Sequence, residues 1–142
     1  GRGSREKTQA RYDELNVVAN VVEFIDDSPR ALADCDVFVG RSGASTVSEL
    51  AALGVASILI PYPHHKDQQQ LRNARILEAV GAAKVLPETG LTKEILAAEI
   101  AALTRANCLA MSDNALTVAK PNATADICAV IESLAAANGG TR

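Results

Sequence analysis

The chain has 142 residues, the size of one ordinary domain, and 48% of them are hydrophobic against 22% charged. This composition is typical of a folded globular protein and excludes an intrinsically disordered chain. A net charge of −3 with 3% aromatic residues provides neither the basic surface nor the stacking platforms that nucleic-acid binding needs, so no nucleic-acid partner is expected.

Hydrophobic periodicity predicts alternating helices and strands over the first part of the chain. The predicted elements are a helix over 5–15, a strand over 17–25, a helix over 29–33 with Ser28 as its N-cap, a strand over 36–40, a helix over 45–53 ended by Gly54, a strand over 56–60, a helix over 67–80 ended by Gly81, and a strand over 83–86. The later strands are short and apolar throughout, which indicates a parallel sheet flanked by helices. The predicted fold class is therefore α/β.

Only helices are predicted from residue 92 onward, over 92–104, 108–119 and 123–137, followed by a frayed tail over 138–142. No apolar run has the length of a membrane-spanning helix, and the first residues do not resemble a secretory signal. Three widely spaced cysteines indicate buried thiols in a reducing cytoplasm rather than a disulfide framework or a zinc site.

The most informative segment is the turn that follows the predicted strand 36–40 and leads into the next helix. Ligands of α/β sheets bind at this carboxyl edge, and the free N–H groups of Ala44, Ser45, Thr46 and Val47 could hold a diphosphate there. Thr46 and Glu49 could instead form a capping box that satisfies the same N–H groups. Glu49 could also bind a ribose diol, so spacing alone leaves these alternatives open.

A second polar segment follows the strand 56–60 and also lies at the predicted carboxyl edge. Gln69 and Gln70 carry both donors and acceptors, which suits sugar hydroxyls, although a solvated loop with Asp67 as N-cap is the alternative. His64 and His65 have no third ligand at suitable spacing, so neither a metal nor another cofactor is expected.

Three stretches occur together in an order found in a known family. They are EFIDD, CDVFVGRSGASTVSELAALGVASILIPYP and HHKDQQQLRNARILEAVGAAKVL, followed by a late KPNATADI. In this order they resemble the C-terminal half of the MurG family of bacterial transferases, which move GlcNAc from UDP-GlcNAc to a lipid-linked muramyl-pentapeptide. The resemblance covers residues 1–137 and implies a Rossmann-like domain, the C-terminal domain of a GT-B glycosyltransferase.

The resemblance also implies roles for individual residues. The backbone at Ile25 would read uracil, Ala44, Ser45, Thr46 and Val47 would face the diphosphate, Glu49 would bind the ribose, and Gln69 with Gln70 would contact the GlcNAc hydroxyls. No catalytic residue is implied within this chain, because the family places acceptor binding and the proposed base in a separate N-terminal domain.

We therefore expect a donor-binding part that lacks the first strand of its own domain and is inactive alone in converting lipid I to lipid II for peptidoglycan synthesis. The lipid-linked acceptor would bind through the N-terminal domain. The parent enzyme would be cytoplasmic and peripheral at the inner face of the cell membrane, mainly through that other domain. The alternatives are a stand-alone UDP-sugar-binding subunit that needs a partner for catalysis, and another GT-B glycosyltransferase.

Overall fold

A computed structural model describes residues 3–64 and 66–138 of the chain. It divides into two compact units, of which the first ends at Ala31 and the second begins at Leu32.

The first unit contains helix α1 (Arg5–Glu14) and an extended segment over 17–25. The predicted strand over 17–25 is wrong, because this segment pairs with no strand among the described residues. It is held instead by the Arg5 Nε, which donates to the Val21 carbonyl at 3.0 Å, and by the Gly3 N–H, which donates to the Glu23 carboxylate at 3.0 Å. An apolar pattern indicates which side chains avoid water, but it does not show whether a neighbouring strand is present to form the hydrogen bonds of a sheet.

Helix α2 (Ser28–Ala33) begins one residue earlier than predicted. The prediction of Ser28 as the N-cap is wrong, since the Asp27 carboxylate accepts a hydrogen bond from the Arg30 N–H at 2.9 Å. An aspartate is as good an N-cap as a serine, and here it lies closer to the first free donors of the helix.

The second unit contains a three-stranded parallel sheet whose strands are joined by helices. The elements are β1 (Phe38–Gly40), α3 (Ala44–Leu53), β2 (Ser57–Leu59), α4 (Gln69–Ala79) and β3 (Ala83–Val85). The strand order is β1-β2-β3, with Phe38 opposite Ser57 and Ser57 opposite Ala83. This topology confirms the predicted α/β class.

The core of the second unit lies between the sheet and helices α3 and α4. Its largest fully buried apolar side chains are Leu50 on α3, Ile58 and Leu59 on β2, and Leu77 on α4. Gly54 ends α3 in the left-handed conformation, with φ of 65°, as predicted for a helix C-cap. Because β2 is buried along its whole length, the loops that follow the strands start from fixed positions.

Three helices follow the sheet: α5 (Lys93–Ala101), α6 (Arg105–Leu116) and α7 (Ala123–Asn138). Helix α6 packs against α3 through the buried Met111 and Ala115. The side chains of α7 are exposed up to residue 137, including Cys128, so the prediction that all three thiols are buried is wrong. The helical period of α7 did predict the helix, but not that its apolar side chains up to residue 137 would be exposed.

Among the described helices, none is by itself long and apolar enough to span a membrane. Helices α5 and α6 reach the required length and apolar character only together, and they are bent by 91° where they meet.

Candidate functional site

The carboxyl ends of all three strands lie at one edge of the sheet, because the strands are parallel. Each strand is followed there by a loop that leads into a helix, as is usual for ligand sites in α/β proteins. Two of these loops carry residues that the sequence predicted as functional, so this edge of the second unit is the candidate site.

The loop after β1 leads directly into the first turn of α3. Gly43 is the N-cap of this helix and has no side chain to bond the first donors. Val47 donates to the Gly43 carbonyl at 3.0 Å, whereas no described group accepts from the N–H groups of Ala44, Ser45 or Thr46. Because these donors lie at the positive end of the helix dipole, an anion would be stabilised there.

The alternative of a Thr46–Glu49 capping box is wrong. Such a box requires the threonine at the N-cap position, but Thr46 is the third residue of α3. Glu49 lies one turn further along the helix and is half-buried, and no described side chain bonds to it. Its carboxylate therefore has both oxygens available as acceptors beside the anion-binding turn.

Val47 belongs to the core rather than to the exposed surface of this turn. Its side chain is 6% exposed and its N–H group is already bonded within the helix. Among the four residues predicted to face a diphosphate, Ala44, Ser45 and Thr46 therefore supply the N–H groups that a ligand could reach.

The loop after β2 leads into α4, which begins at Gln69, two residues later than predicted. Gln68 adopts the left-handed conformation with φ of 50°, which turns the chain into the helix. The Asp67 carboxylate accepts from the Gln69 N–H at 3.4 Å, so Asp67 lies before the helix rather than in it. The Gln69 side chain is exposed, and Gln70 is half-buried.

Gln70 is held by hydrogen bonds from both loops. The Ser42 hydroxyl donates to the Gln70 carbonyl at 2.8 Å, and the Tyr62 N–H donates to the Gln70 Oε1 at 2.9 Å. The structure therefore brings the turn after β1 and the start of α4 into direct contact. The amide NH₂ group of Gln70 remains available as a donor to a ligand.

Arg41 connects the third loop to the other two. Its guanidinium donates to the Ile60 carbonyl at 3.1 Å and to the Glu88 carboxylate at 2.8 Å, and it lies 5.5 Å from the ring centre of Tyr62. The hydrogen bond from Arg41 lowers the pKa of Glu88 below its ordinary value of 4.5, and the positive charges of Arg41 and His64 act in the same direction.

Arg41, Ile60 and Glu88 border a groove of about 400 Å³ at the carboxyl edge, and none of the residues predicted to bind a diphosphate, ribose or sugar lines it. Its lining residues are Gly40, Arg41, Ile60, Glu88, Leu91, Thr92, Lys93 and Leu96. Sequence analysis missed Arg41, Ser42 and Glu88, and also Asn73, whose Nδ2 donates to the Ser42 carbonyl at 3.2 Å. The only available signal for the first two was their position in the turn after β1, since polar residues at that edge of a parallel sheet face ligands.

Ile25 belongs to the first unit, where it is half-exposed in the segment without a strand. Its predicted contact with uracil stays a prediction. His64 is exposed and packs edge-on against the Tyr62 ring, whereas His65 lies outside the described residues. In the part of the chain that is described, no three His, Cys, Asp or Glu side chains are grouped as a metal site requires.

A separate pocket, of about 580 Å³, lies at the opposite edge of the sheet, and Cys35 and Cys108 are among the residues that line it. Burial raises the pKa of the Cys35 thiol, which also donates to the Leu32 carbonyl at 3.1 Å. A raised pKa reduces the fraction of thiolate, which is the nucleophilic form, so we interpret Cys35 as a structural residue of this pocket.

The sequence model of the glycosyltransferase family 28 C-terminal domain matches residues 1–127 of the chain. A UDP-N-acetylglucosamine–N-acetylmuramyl-(pentapeptide) pyrophosphoryl-undecaprenol N-acetylglucosamine transferase of Neisseria meningitidis is 43% identical over 127 residues, which are 89% of this chain and 36% of the relative. The transferase of the same name from Haemophilus influenzae is 43% identical over 132 residues, covering 93% of this chain and 37% of the relative.

Solved structures show the same similarity. The crystal structure of MurG from Acinetobacter baumannii superposes with a TM-score of 0.88 at 34% identity, covering 94% of this chain and 39% of that one. The spinosyn forosaminyltransferase SpnP is similar in fold, with a TM-score of 0.55 at 18% identity over 96% of this chain and 42% of that one. The chain thus spans a little over a third of the length of the curated relatives it matches.

Proposed function

The chain belongs to the glycosyltransferase family 28 C-terminal domains, and on that premise we propose that it is the UDP-GlcNAc-binding part of an inverting GlcNAc transferase. The whole protein would transfer GlcNAc to a lipid-linked muramyl-pentapeptide and so convert lipid I to lipid II in peptidoglycan synthesis. The observation that carries the proposal is the uncapped first turn of α3 with Glu49 beside it, whose carboxylate bonds to no described side chain.

The first turn of α3 would hold the diphosphate of the donor. When the bond between the sugar and UDP breaks, negative charge grows on the departing diphosphate. The N–H groups of Ala44, Ser45 and Thr46 are fixed before the reaction and stabilise that charge without having to reorganise. This turn therefore assists departure of UDP as well as binding of the donor.

The neighbouring side chains would recognise the two sugars of the donor. Glu49 would accept hydrogen bonds from the two ribose hydroxyls, and Gln69 with Gln70 would bind the hydroxyls of GlcNAc. Contact between Ser42 and Gln70 supports this division, since it sets the sugar-binding segment directly beside the diphosphate-binding turn. The backbone at Ile25 would bind uracil.

The acceptor would bind through the part of the relatives that this chain does not span. That part would also supply the general base that removes a proton from the acceptor hydroxyl. In the whole protein, we place the enzyme in the cytoplasm, peripheral at the inner face of the cell membrane. The net charge of −3 gives this part no electrostatic attraction to anionic lipids.

Titration calorimetry of the chain with UDP-GlcNAc, UDP-glucose and UDP tests the donor site. We expect UDP-GlcNAc to bind, and Glu49→Ala to weaken it roughly 10- to 150-fold, which corresponds to about 1.5 to 3 kcal/mol of charge-assisted hydrogen bonds. Ser48→Ala is the matched control, because Ser48 is exposed on the same turn and has no assigned role. A folded chain that binds no uridine nucleotide contradicts the proposal.

Transfer itself is tested in the whole protein. GlcNAc transfer to a lipid-linked acceptor is expected to fall with Glu49→Ala and to be unchanged with Ser48→Ala. If Glu49→Ala removes donor binding from the chain but leaves transfer intact, Glu49 does not act in the reaction.

A further inference from the structure

The separate pocket at the opposite edge of the sheet is lined by none of the residues assigned to the donor. Its volume of about 580 Å³ is that of a site for a small molecule. The segment before β1, the end of α3 and the beginning of α6 border it, and all of them belong to the second unit. Leu53, Leu103 and Leu109 give the pocket an apolar wall, whereas Asp36 and Arg105 bring one negative and one positive charge to it.

The two charged residues of the pocket have no partner in the described part of the chain. Asp36 and Arg105 are both exposed, and no described side chain forms a hydrogen bond or an ion pair with either of them. They also do not pair with each other, although they line the same pocket. A ligand that carries both a carboxylate and an ammonium group would complement this arrangement of charges.

Two thiols line the same pocket, and they differ in their surroundings. Cys108 is the fourth residue of α6 and lies three positions after Arg105, so the two side chains are neighbours on one face of the helix. Cys108 is half-buried, and no described group bonds to its Sγ. The Cys35 Sγ is instead bonded to the Leu32 carbonyl, and burial raises the pKa of the Cys35 thiol. A ligand in the pocket therefore meets the unbonded sulfur of Cys108.

We propose that this pocket is a thiol-modification site, in which Cys108 forms a mixed disulfide with a peptide-sized disulfide that carries carboxylate and ammonium groups. The Cys108 thiolate attacks one sulfur of this reagent, so a new S–S bond forms as the S–S bond of the reagent breaks. The electron pair of the broken bond leaves with the second sulfur. That sulfur departs as a thiolate and takes up the proton that Cys108 lost, so the reagent is reduced to one free thiol while Cys108 is oxidised.

The pocket would select its reagent by charge and by apolar contact. One carboxylate pairs with Arg105, one ammonium group pairs with Asp36, and the apolar part between them packs on Leu103 and Leu109. This arrangement holds a sulfur of the reagent beside Cys108. Because both charges are exposed, each pair is weak, and the selection is expected in the rate of modification rather than in tight binding.

Rates of modification at the individual cysteines of the folded chain test the proposal. Oxidised glutathione is the charged probe, hydroxyethyl disulfide is the neutral probe, and mass spectrometry of acid-quenched, digested samples assigns each adduct to a cysteine. The ratio of the two rates at one cysteine removes differences in exposure between thiols. We expect Arg105→Gln to lower this ratio at Cys108 about two- to fivefold, the range for one exposed ion pair. Arg105→Lys keeps the charge and should keep most of the ratio.

Cys128 is the internal control, because it is exposed on α7, a helix with Asp126 and Glu132 but without Lys or Arg. The ratio at Cys128 is expected to be lower than at Cys108 and to be the same in Arg105→Gln. Equal ratios at the two cysteines of the wild type overturn the proposal, as does an Arg105→Gln variant with an unchanged ratio at Cys108. Faster modification of Cys35 than of Cys108 by oxidised glutathione overturns the choice of thiol.

A third probe isolates the role of Asp36. Dithiodipropionate is a disulfide with two carboxylates and no ammonium group. We expect Asp36→Asn to slow the reaction of oxidised glutathione at Cys108 and not that of dithiodipropionate. An equal effect on both probes would show that the pocket does not recognise an ammonium group. None of these measurements uses a nucleotide, so their outcome is independent of the proposed donor site.

Discussion

The guanidinium of Arg41 lies 2.8 Å from the carboxylate of Glu88, which joins the loop after β1 to the loop after β3. The same nitrogen also donates to the Ile60 carbonyl after β2. One side chain therefore connects the loops that follow all three strands. Both partners are about half exposed, so the bond contributes more to the geometry of the loops than to the stability of the fold.

The stability contribution of Glu88 is predicted to depend on pH. The pKa of Glu88 is lower in the folded chain than its ordinary value of 4.5. A carboxyl with a lowered folded pKa stabilises the fold above its unfolded pKa and loses this contribution as the pH falls through the folded pKa. We expect Glu88→Gln to unfold at a lower urea concentration than the wild type at pH 7.

The two unfolding midpoints should approach each other as the pH falls below about 4.5 and coincide once the pH lies below the folded pKa of Glu88, because Glu88 is then neutral in both states of the wild type. Equal midpoints at pH 7, or a difference that persists in acid, would contradict this assignment. Glu94 is a useful comparison, since its pKa is lowered mainly by its own backbone N–H rather than by a distant cation.

Thr104 and Thr46 are predicted to respond differently to removal of their hydroxyls. Thr104 caps α6 by accepting from the Asn107 N–H, and the Asn107 side chain accepts from the Thr104 N–H in return. Thr104→Ala is therefore expected to lower the free energy of unfolding by about 0.5 to 2 kcal/mol. Thr46→Ala should cost less, because Thr46 lies inside α3. Urea denaturation of both variants checks this, and an equal cost would restore Thr46 as a cap.

Substitution of Gly54 by a residue with a side chain is predicted to destabilise the fold for two reasons, backbone strain and a steric clash. A second glycine serves as a control that separates the two. The φ of 65° at Gly54 strains any L-residue by about 1 to 2 kcal/mol, and an added Cβ would meet the Leu116 side chain at 3.0 Å. Gly90 has a φ of 81° but no neighbour within 4 Å of such a Cβ. Thermal unfolding of Gly54→Ala and Gly90→Ala should show the larger loss at Gly54, and the excess measures the contact with Leu116.

Core truncation should distinguish two neighbouring residues of α4. Leu77 is fully buried, so Leu77→Ala is expected to cost about 2 to 5 kcal/mol through lost burial and the cavity left behind. Ile76 is 52% exposed, and Ile76→Ala should change the free energy of unfolding by about 0.5 kcal/mol or less. A similar loss of unfolding free energy for both variants would show that α4 does not pack against the core through the face that carries Leu77.

Local patterns predicted the regular elements of the second unit well. The apolar run around Ile58 indicated a buried strand, and Gly54 marked the end of α3, because burial and backbone conformation each restrict the residues that fit. The segment 17–25 shows the limit of such patterns. Its apolar residues are compatible with a strand, but the pattern within a segment does not identify a second strand with which it could pair.

The candidate site was predicted less completely than the fold. The position of Ala44 after a strand was enough to suggest an anion site, and Glu49 follows by one helical turn. The bond between Ser42 and Gln70 spans 28 residues, and the one between Arg41 and Glu88 spans 47. Contacts between residues so far apart in the sequence depend on how the helices pack against the sheet. That packing cannot be predicted from the local pattern of a single sequence.

The register of the sheet limits which sequence changes the carboxyl edge can accept during evolution. Gly40, Leu59 and Val85 lie in one row across the three strands, and the loop residues begin directly after that row. A deletion of one residue within a strand would turn every later side chain to the opposite face. Substitutions in the loops leave the row intact, so such a scaffold can acquire a new specificity by exchange of side chains while its framework stays the same.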